Sequence, residues 1–321
     1  MRTTLEQRKK QFRVLYEVLN ETPRIFVKDV SSILCTNRYV TAKRMQEAFN
    51  SGYILIPQIR KRSYANLKEY MIFLRCTKSM KKYLKYVEDT NVIYHAKMLG
   101  YFNLWVTSKE KIDIQGDVIA EGFRSDYYVA YAPGHSWQKS VETIREKIDT
   151  FNPDDYTPKG YIKTHWNEAA EWDSEFELLY REFKYNLRKK ETPLRKKYLI
   201  SGGKMQKWYQ LYSQYCTVFT RYFPDGFSAY DPYLFVFETD YEDFIIDLFS
   251  ELPSSPMFLR VSDKLFLYAN VPRHFMRDIS VFKGVSRLHI PLLIEELLEK
   301  EIIKNEDEQY SMIEYSTGKN L

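Results

Sequence analysis

Near its N-terminus the chain spaces apolar residues as two short helices joined by a tight turn. Val27, Val30 and Ile33 form an apolar stripe at helical spacing, and Cys35–Asn37 supplies a turn in which Thr36 or Asn37 caps the next helix. Gly52 then precedes the start of a strand. This order predicts a winged helix-turn-helix, a module whose second motif helix enters the major groove of DNA.

The outer face of that predicted recognition helix carries side chains of the types that contact bases and phosphates. These candidate DNA-binding residues are Asn37, Arg38, Tyr39, Thr41, Lys43 and Arg44. Strands Tyr53–Ile59 and Leu67–Leu74 are predicted to flank a hairpin tip, the wing, which holds the cations Arg60, Lys61 and Arg62. We expect these cations to contact phosphates across a groove; an exposed, charged turn is the alternative.

The hydrophobic pattern then repeats along the chain. Glu21-Thr22-Pro23 recurs 170 residues later as Glu191-Thr192-Pro193. Glu69–Cys76 aligns with Pro232–Thr239, and Tyr101–Val106 aligns with Lys264–Ala269, both at a spacing of 163 residues. The constant second spacing favours a tandem duplication over a chance match of hydrophobic strands.

Each repeat is predicted to place an α+β body after its helical head. In the first body the pattern gives a strand at Tyr70–Cys76, a helix at Ser79–Glu88, a hairpin turning at Leu99-Gly100, further strand, and a helix at Ser136–Ile148. This β-α-β-β order is typical of a ferredoxin-like (βαββαβ) body. The predicted units are a winged helix-turn-helix at 1–69, a body at 70–150, a linker at 151–171, a second, diverged head at 172–227 and a second body with a C-terminal helix at 228–321.

The first half of the chain resembles the Lrp/AsnC (feast/famine) transcriptional regulators over nearly its whole length. Val40–Met45 and Phe49–Ile54 are similar to that family's recognition helix and the turn into its wing, and Leu99–Val106 is similar to a hairpin of its effector domain. The resemblance implies a ferredoxin-like domain that dimerises and often binds an amino acid. It makes Gly100, Tyr101, Asn103 and Trp105 the candidate effector-binding residues. Asn103 stands where the family usually has Asp, which predicts weak or absent binding of free amino acids.

The charge distribution agrees with a nucleic-acid partner. Residues 1–90 hold 19 Lys and Arg against 8 Asp and Glu, whereas the remainder holds 29 against 35. A basic N-terminal module on an acidic body is an electrostatic footprint for nucleic acid, and a solvated charged surface is the alternative. A second basic run lies between Arg181 and Lys207, where Lys204 and Lys207 are candidates for a second DNA contact.

The sequence offers no positive argument for an enzyme, a cofactor or a metal site. It has no phosphate-binding loop or dinucleotide fingerprint, and His95, His135, His165, His274 and His289 lack metal-ligand spacing. Three scattered cysteines indicate a reducing, cytoplasmic location, and no apolar run reaches the roughly 18 residues that span a membrane.

These observations favour a DNA-binding transcriptional regulator with a dimerising body and a possible small-molecule effector. The alternatives are a tandem winged-helix replication-initiation or architectural protein without an effector, and a protein-interaction module that has lost DNA binding. Because each sheet has an apolar face to cover, we expect the two bodies to pair within one chain as a pseudo-dimer. We expect two chains to pair further on double-stranded DNA.

Overall fold

The computed structural model describes residues 4–272, 289–305 and 307–317. The first repeat holds α1 (Leu5–Glu21), α2 (Val27–Ile33), α3 (Arg38–Asn50), β1 (Gln58–Lys61), β2 (Tyr70–Arg75), α4 (Ser79–Tyr86), β3 (Val92–Gly100), β4 (Leu104–Ser108), β5 (Asp117–Phe123), β6 (Tyr128–Val129) and α5 (Trp137–Thr150). The second holds α6 (Ser174–Phe183), α7 (Glu191–Tyr198), α8 (Gly202–Tyr215), β7 (Cys216–Phe219), β8 (Tyr230–Glu238), α9 (Glu242–Phe249), β9 (Met257–Val261), β10 (Lys264–Pro272), α10 (His289–Glu299) and β11 (Asp307–Thr317).

Each repeat begins with a head of three helices, of which the first and the third start at a side-chain cap. Thr4 and Gln7 form a reciprocal capping box at α1, and Asn37 accepts a hydrogen bond from the Val40 amide at α3. Ser201 caps α8 in the second head in the same way, through the Lys204 amide. The predicted pairs of helices and their turn are therefore present in both heads.

The wing differs from the sequence prediction. Its expected hairpin does not form, because β1 pairs with β7 of the other head in an antiparallel ladder from Gln58↔Phe219 to Lys61↔Cys216. Arg60 and Lys61 consequently lie within a strand between the two heads rather than at an exposed tip. The ladder satisfies the backbone of both strands and buries Ile59 and Cys216 in the core of the second head.

The two bodies have the strand order of ferredoxin-like folds. The strands form one sheet in the order β5-β2-β4-β3-β11-β8-β10-β9-β6, in which each body contributes its fourth, first, third and second strand in turn. The predicted α+β class and the duplicated ferredoxin-like arrangement are confirmed. The helix predicted at Ser136–Ile148 is present as α5, and it packs on the second body beside α9 and α10, so that in the first body a loop stands between β4 and β5, where the βαββαβ order has a helix.

One face of each body's strands packs against the other body. Met71 and Phe73 belong to the same buried cluster as Leu234, Val261 and Phe266, and the Phe73 and Phe266 ring centroids are 4.4 Å apart. Antiparallel pairing of β3 with β11 joins the bodies at one side, and an isolated bridge between Arg124 and Val261 joins them at the other. The two bodies thus cover each other's apolar faces within one chain.

The segment 151–171, expected to be a partly flexible linker, is docked on the bodies. The Asp243 carboxylate accepts hydrogen bonds from the amides of Lys159, Gly160 and Tyr161 at 2.7 to 3.1 Å. Further along, Asn66 exchanges hydrogen bonds with the backbone of Ala170. These contacts hold the segment against α9 of the second body and against the chain that precedes β2.

In the described parts of the chain, no helix is both long and apolar enough to cross a membrane. The cytoplasmic location inferred from the cysteines stays a prediction.

Candidate functional site: a cationic, aromatic cavity

A cavity of about 290 Å³ lies between the paired bodies and the second head. Strands of both bodies, the strand β1 and the C-terminal end of α6 supply its walls. A larger cavity of about 790 Å³ adjoins it and shares Glu69, Ile93, Tyr180 and Lys184. We call the two together the interhead cavity; their volumes fall in the range of small-molecule binding sites.

Aromatic side chains form much of the wall of the smaller chamber. They are Tyr94, Trp105, Tyr127, Tyr180, Tyr185 and Tyr268. The Tyr94 and Trp105 rings meet edge to face with centroids 4.8 Å apart. Burial raises the pKa of the Tyr127 and Tyr180 phenols, so both remain neutral and can donate hydrogen bonds. The chamber therefore offers flat apolar surfaces with hydroxyl groups at their edges.

Lys184 projects from the end of α6 into both chambers. Its backbone carbonyl accepts a hydrogen bond from the Ile59 amide at 3.0 Å, which ties its position to β1. Burial, with the nearby charge of Arg60, lowers the pKa of its ammonium group from 10.5 to about 8. Lys184 is therefore mostly protonated at neutral pH but is a much stronger acid than an exposed lysine.

Arg60 stands beside Lys184 with its guanidinium directed to neutral partners. It donates to the carbonyls of Ile59 and Lys184 at 2.9 and 3.3 Å, and it lies over the Tyr185 ring at 5.0 Å. Neither Arg60 nor Lys184 forms an ion pair with a carboxylate of the described residues. Together they make this part of the cavity wall positive, although the Glu69 carboxylate, which also lines both chambers, offsets part of the charge of Lys184.

A buried ion pair, through Glu69, forms part of the same wall. The Arg124 Nε lies 2.7 Å from the Glu69 carboxylate, and Arg124 also donates to the Lys61 carbonyl at 2.8 Å. Burial would raise the pKa of Glu69, but the charges of Arg124 and Lys61 outweigh it and hold this pKa below its usual value. Glu69 therefore stays ionised and offsets the charge of Arg124, which is only 1% exposed.

The candidate DNA-binding residues of the first head do not form one outward face. Arg38, Tyr39 and Lys43 are exposed, and Asn37 caps the helix. Thr41 is fully buried and its hydroxyl lies 2.7 Å from that of Thr36. Arg44 is also buried, where it donates to Gln11 at 2.7 Å and pairs with Glu47 at 2.5 Å. The helix packs more of its surface against α1 than its sequence indicated.

The remaining cations predicted to contact DNA are engaged by groups of the same chain. Lys61 pairs with Glu177 at 2.6 Å, and Arg62 lies 3.8 Å from Asp126. In the second head, Lys204 pairs with Asp173 and with Glu175, and Lys207 lies 2.6 Å from Glu171. Their charges are largely offset where they lie, so they form no free phosphate-binding surface.

The candidate effector hairpin is divided between structural and cavity residues. Gly100 and Tyr101 lie at the β3–β4 turn, away from the smaller chamber's lining. The Asn103 side chain is used locally: its oxygen accepts from the Cys76 amide and its nitrogen donates to the Cys76 carbonyl, both at 2.9 Å. Of the four residues, Trp105 lines the chamber.

Replacement of Asn103 by alanine should therefore affect stability rather than ligand binding. The change removes two hydrogen bonds that hold β4 to the end of β2, and we expect a loss of about 1–3 kcal/mol in the free energy of unfolding. Urea denaturation measures this loss. Asn103→Asp keeps the acceptor and loses the donor, so its free energy of unfolding should lie between those of the unmodified chain and Asn103→Ala. An unfolding midpoint that is unchanged in both variants would contradict this structural role.

No protein-family model matches the chain, and no curated protein is significantly similar to it in sequence. Two similar solved structures are of the siroheme decarboxylase NirDL. One is 11% identical, covers 96% of this chain and 92% of that chain, and has a TM-score of 0.46. The other, a complex with an iron-uroporphyrin III analogue, is 10% identical, covers 97% and 92%, and has a TM-score of 0.44.

This finding contradicts several predictions made from the sequence. Both similar structures are of an enzyme, and one binds a porphyrin-type ligand. The expected Lrp/AsnC-type regulator, the expected lack of enzymatic activity and the expected DNA partner are therefore wrong. The expected pairing of two chains loses its basis, because its purpose was to present two heads to DNA.

The sequence analysis missed the residues that give the cavity its character. Lys184 lies in a basic run that was interpreted as a DNA contact, and Arg124, Arg221 and Glu69 stand in no recognisable motif. The one available signal was the unusual number of tyrosines, 27 in the chain. No three His, Cys, Asp or Glu residues of the described segments are grouped to hold a metal ion, and His274 lies outside those segments.

Proposed function

We propose that the chain is an enzyme that binds a flat, multiply carboxylated aromatic molecule in the interhead cavity and removes one of its carboxyl groups. The observation that carries the proposal is the meeting of Lys184 and Arg60, two cations without carboxylate partners among the described residues, with a wall of tyrosine and tryptophan rings. An anionic aromatic ligand complements both features.

A ligand carboxylate should bind here because cations that are partly removed from water and have no counter-charge destabilise the folded chain. A buried charge is tolerated when an opposite charge or good hydrogen bonds accompany it. A ligand carboxylate beside Arg60 would supply the opposite charge, and the planar guanidinium can hold a carboxylate through two parallel hydrogen bonds. The aromatic wall would then cover the apolar part of the ligand. The two chambers join at Lys184, so a ligand larger than either chamber would place its reacting group there.

Decarboxylation needs two things that this position supplies. A carboxylate held among aromatic side chains loses part of its hydration, which favours its departure as neutral carbon dioxide. The carbon–carbon bond breaks, its electron pair stays on the ligand carbon, and that carbon must take up one proton. The Lys184 ammonium group can donate this proton, because its pKa of about 8 matches the task near neutral pH. Solvent then returns a proton to the lysine.

The test is a titration of the purified chain with iron-uroporphyrin III, followed by mass analysis of siroheme incubated with the chain under anaerobic conditions. Both probes come from the solved structures of similar fold. One of those structures is of a siroheme decarboxylase, and the other shows that enzyme with an iron-uroporphyrin III analogue. We expect the porphyrin absorption band to shift on binding and the binding to weaken at higher salt. We expect siroheme to lose the mass of one carbon dioxide, about 44 mass units.

Two matched variants make this test specific. Arg60→Met should weaken porphyrin binding by about tenfold or more, because it removes a charge-assisted hydrogen bond. Lys43→Met removes an exposed cation of the first head, remote from the cavity lining, and should bind as the unmodified chain does. Equal binding by all three proteins, or no binding by any, would refute the proposal.

A further inference from the structure

Arg221 is a second cavity-lining arginine, at the end of the smaller chamber built from the second body. It is 7% exposed yet borders the chamber. Its Nε donates to the Ser255 carbonyl at 3.1 Å, and its Nη2 donates to the Asn270 side-chain oxygen. The Phe223 and Tyr268 rings lie 5.1 and 5.0 Å from it. These partners fix the guanidinium and none of them carries a full negative charge.

The site holds more donors than acceptors. Ser255, Asn270 and the Tyr268 hydroxyl account for three of the five N–H groups that an arginine presents. The Asn270 side-chain nitrogen is itself buried without a hydrogen-bond partner, while its oxygen contacts Arg221. Burial lowers the pKa of the Arg221 guanidinium, which means that the fold disfavours this charge. A buried cation beside an unsatisfied amide donor lacks an anion.

We propose that Arg221 binds a carboxylate of the ligand and, with Asn270 holding it in place, sets which end of the ligand faces Lys184. This inference rests on the proposed function for the identity of the ligand, but not for the presence of the subsite. The fixed Nε and Nη2 leave the outer edge of the guanidinium, Nη1 with Nη2, for a carboxylate bound through two hydrogen bonds. The ligand would therefore carry carboxylates at two separate positions, one near Arg221 and one near Lys184.

The test compares benzoate with benzamide, two probes of equal shape that differ in charge. Binding to the full chain is measured by ligand-observed NMR or calorimetry. We expect benzoate to bind about tenfold or more tightly than benzamide. Arg221→Met should reduce this preference to the part that Arg60 and Lys184 supply, and Arg221→Lys, which keeps the charge but loses the planar fork, should reduce it less. Arg188→Met is the matched control, since Arg188 is a partly buried arginine with carbonyl partners but lies at the contact between the heads.

Thermal unfolding without ligand separates this role from a structural one. Because the charge of Arg221 is uncompensated, Arg221→Met should unfold at the same temperature as the unmodified chain or higher. A preference for benzoate that is unchanged in Arg221→Met, or a clear fall in its unfolding temperature, would overturn the inference. Loss of preference in Arg188→Met would do so as well. A chain that shows the Arg221-dependent preference but binds no iron-uroporphyrin III would keep the subsite and refute the proposed function.

Discussion

Replacing Lys184 with methionine should slow carbon dioxide release by about 10²–10⁴-fold, the range expected when a positioned proton donor is removed. Porphyrin binding should change far less, because Arg60 and the aromatic wall remain. The measurement is the rate of product formation from siroheme under saturating substrate, alongside the dissociation constant. A variant with unchanged rate, or one that loses binding and rate in equal proportion, would exclude proton donation by Lys184.

The pH dependence gives an independent check on Lys184. Its folded pKa of about 8 lies below the usual 10.5, and the proposed step needs the protonated form. The rate should therefore be constant below about pH 7 and fall as the pH rises through 8. The same depressed pKa means that the fold disfavours the charge, so Lys184→Met should be at least as stable as the unmodified chain. A rate that rises above pH 8 would assign Lys184 the opposite role, that of a base.

Replacing Glu69 with glutamine should cost about 3–5 kcal/mol in the free energy of unfolding, because it leaves the buried Arg124 without its counter-charge. Arg124 is 1% exposed, so water cannot take over the role of the carboxylate. Chemical denaturation measures this loss. The double variant Glu69→Gln, Arg124→Met should recover part of it, since the uncompensated charge is then absent. A double variant that is as unstable as the two single changes added together would show that the pair does not interact.

Acid should act on the same pair. The folded pKa of Glu69 lies below its unfolded value, so the carboxylate contributes stability that is fully present above the unfolded pKa. That contribution disappears as the pH falls through the folded pKa. We expect the difference in stability between the unmodified chain and Glu69→Gln to shrink in acid. A difference that is the same at pH 7 and in strong acid would show that the charge of Glu69 has no part in it.

Local sequence patterns were sufficient to predict the helices and strands and their tandem duplication. Helix starts were visible at Ser136, and at Thr36 or Asn37, of which Asn37 is the cap, because a cap needs its residue type at a fixed distance from the amide whose hydrogen bond it accepts. The constant spacing between Tyr101–Val106 and Lys264–Ala269 indicated two related bodies. The structure contains both bodies, and the two segments overlap β4 and β10 of its large sheet. These features depend on residues close together in sequence, or on a period within it.

The candidate site was beyond reach of such patterns because its members come from distant positions. Arg60 and Lys184 are 124 residues apart and meet only because β1 crosses to the second head. Arg60 was recognised as a candidate binding residue, but the partner of its strand could not be predicted. A strand of a wing hairpin and a strand that pairs with the other head have the same alternation of apolar and polar residues. The error about function followed from that placement: a cation at an exposed tip favours phosphate binding, whereas one in a cavity wall favours a ligand.

The sequence by itself determined the α+β class, the heads, the bodies and their repetition, because helix and strand periods and caps are local. Only the tertiary structure decided which partner each charge has. It pairs Lys61, Arg62, Lys204 and Lys207 with carboxylates of the same chain and leaves Arg60, Lys184 and Arg221 beside aromatic rings. The chemistry of a charge depends on its burial and its counter-charge, and both arise from contacts between residues far apart in the chain.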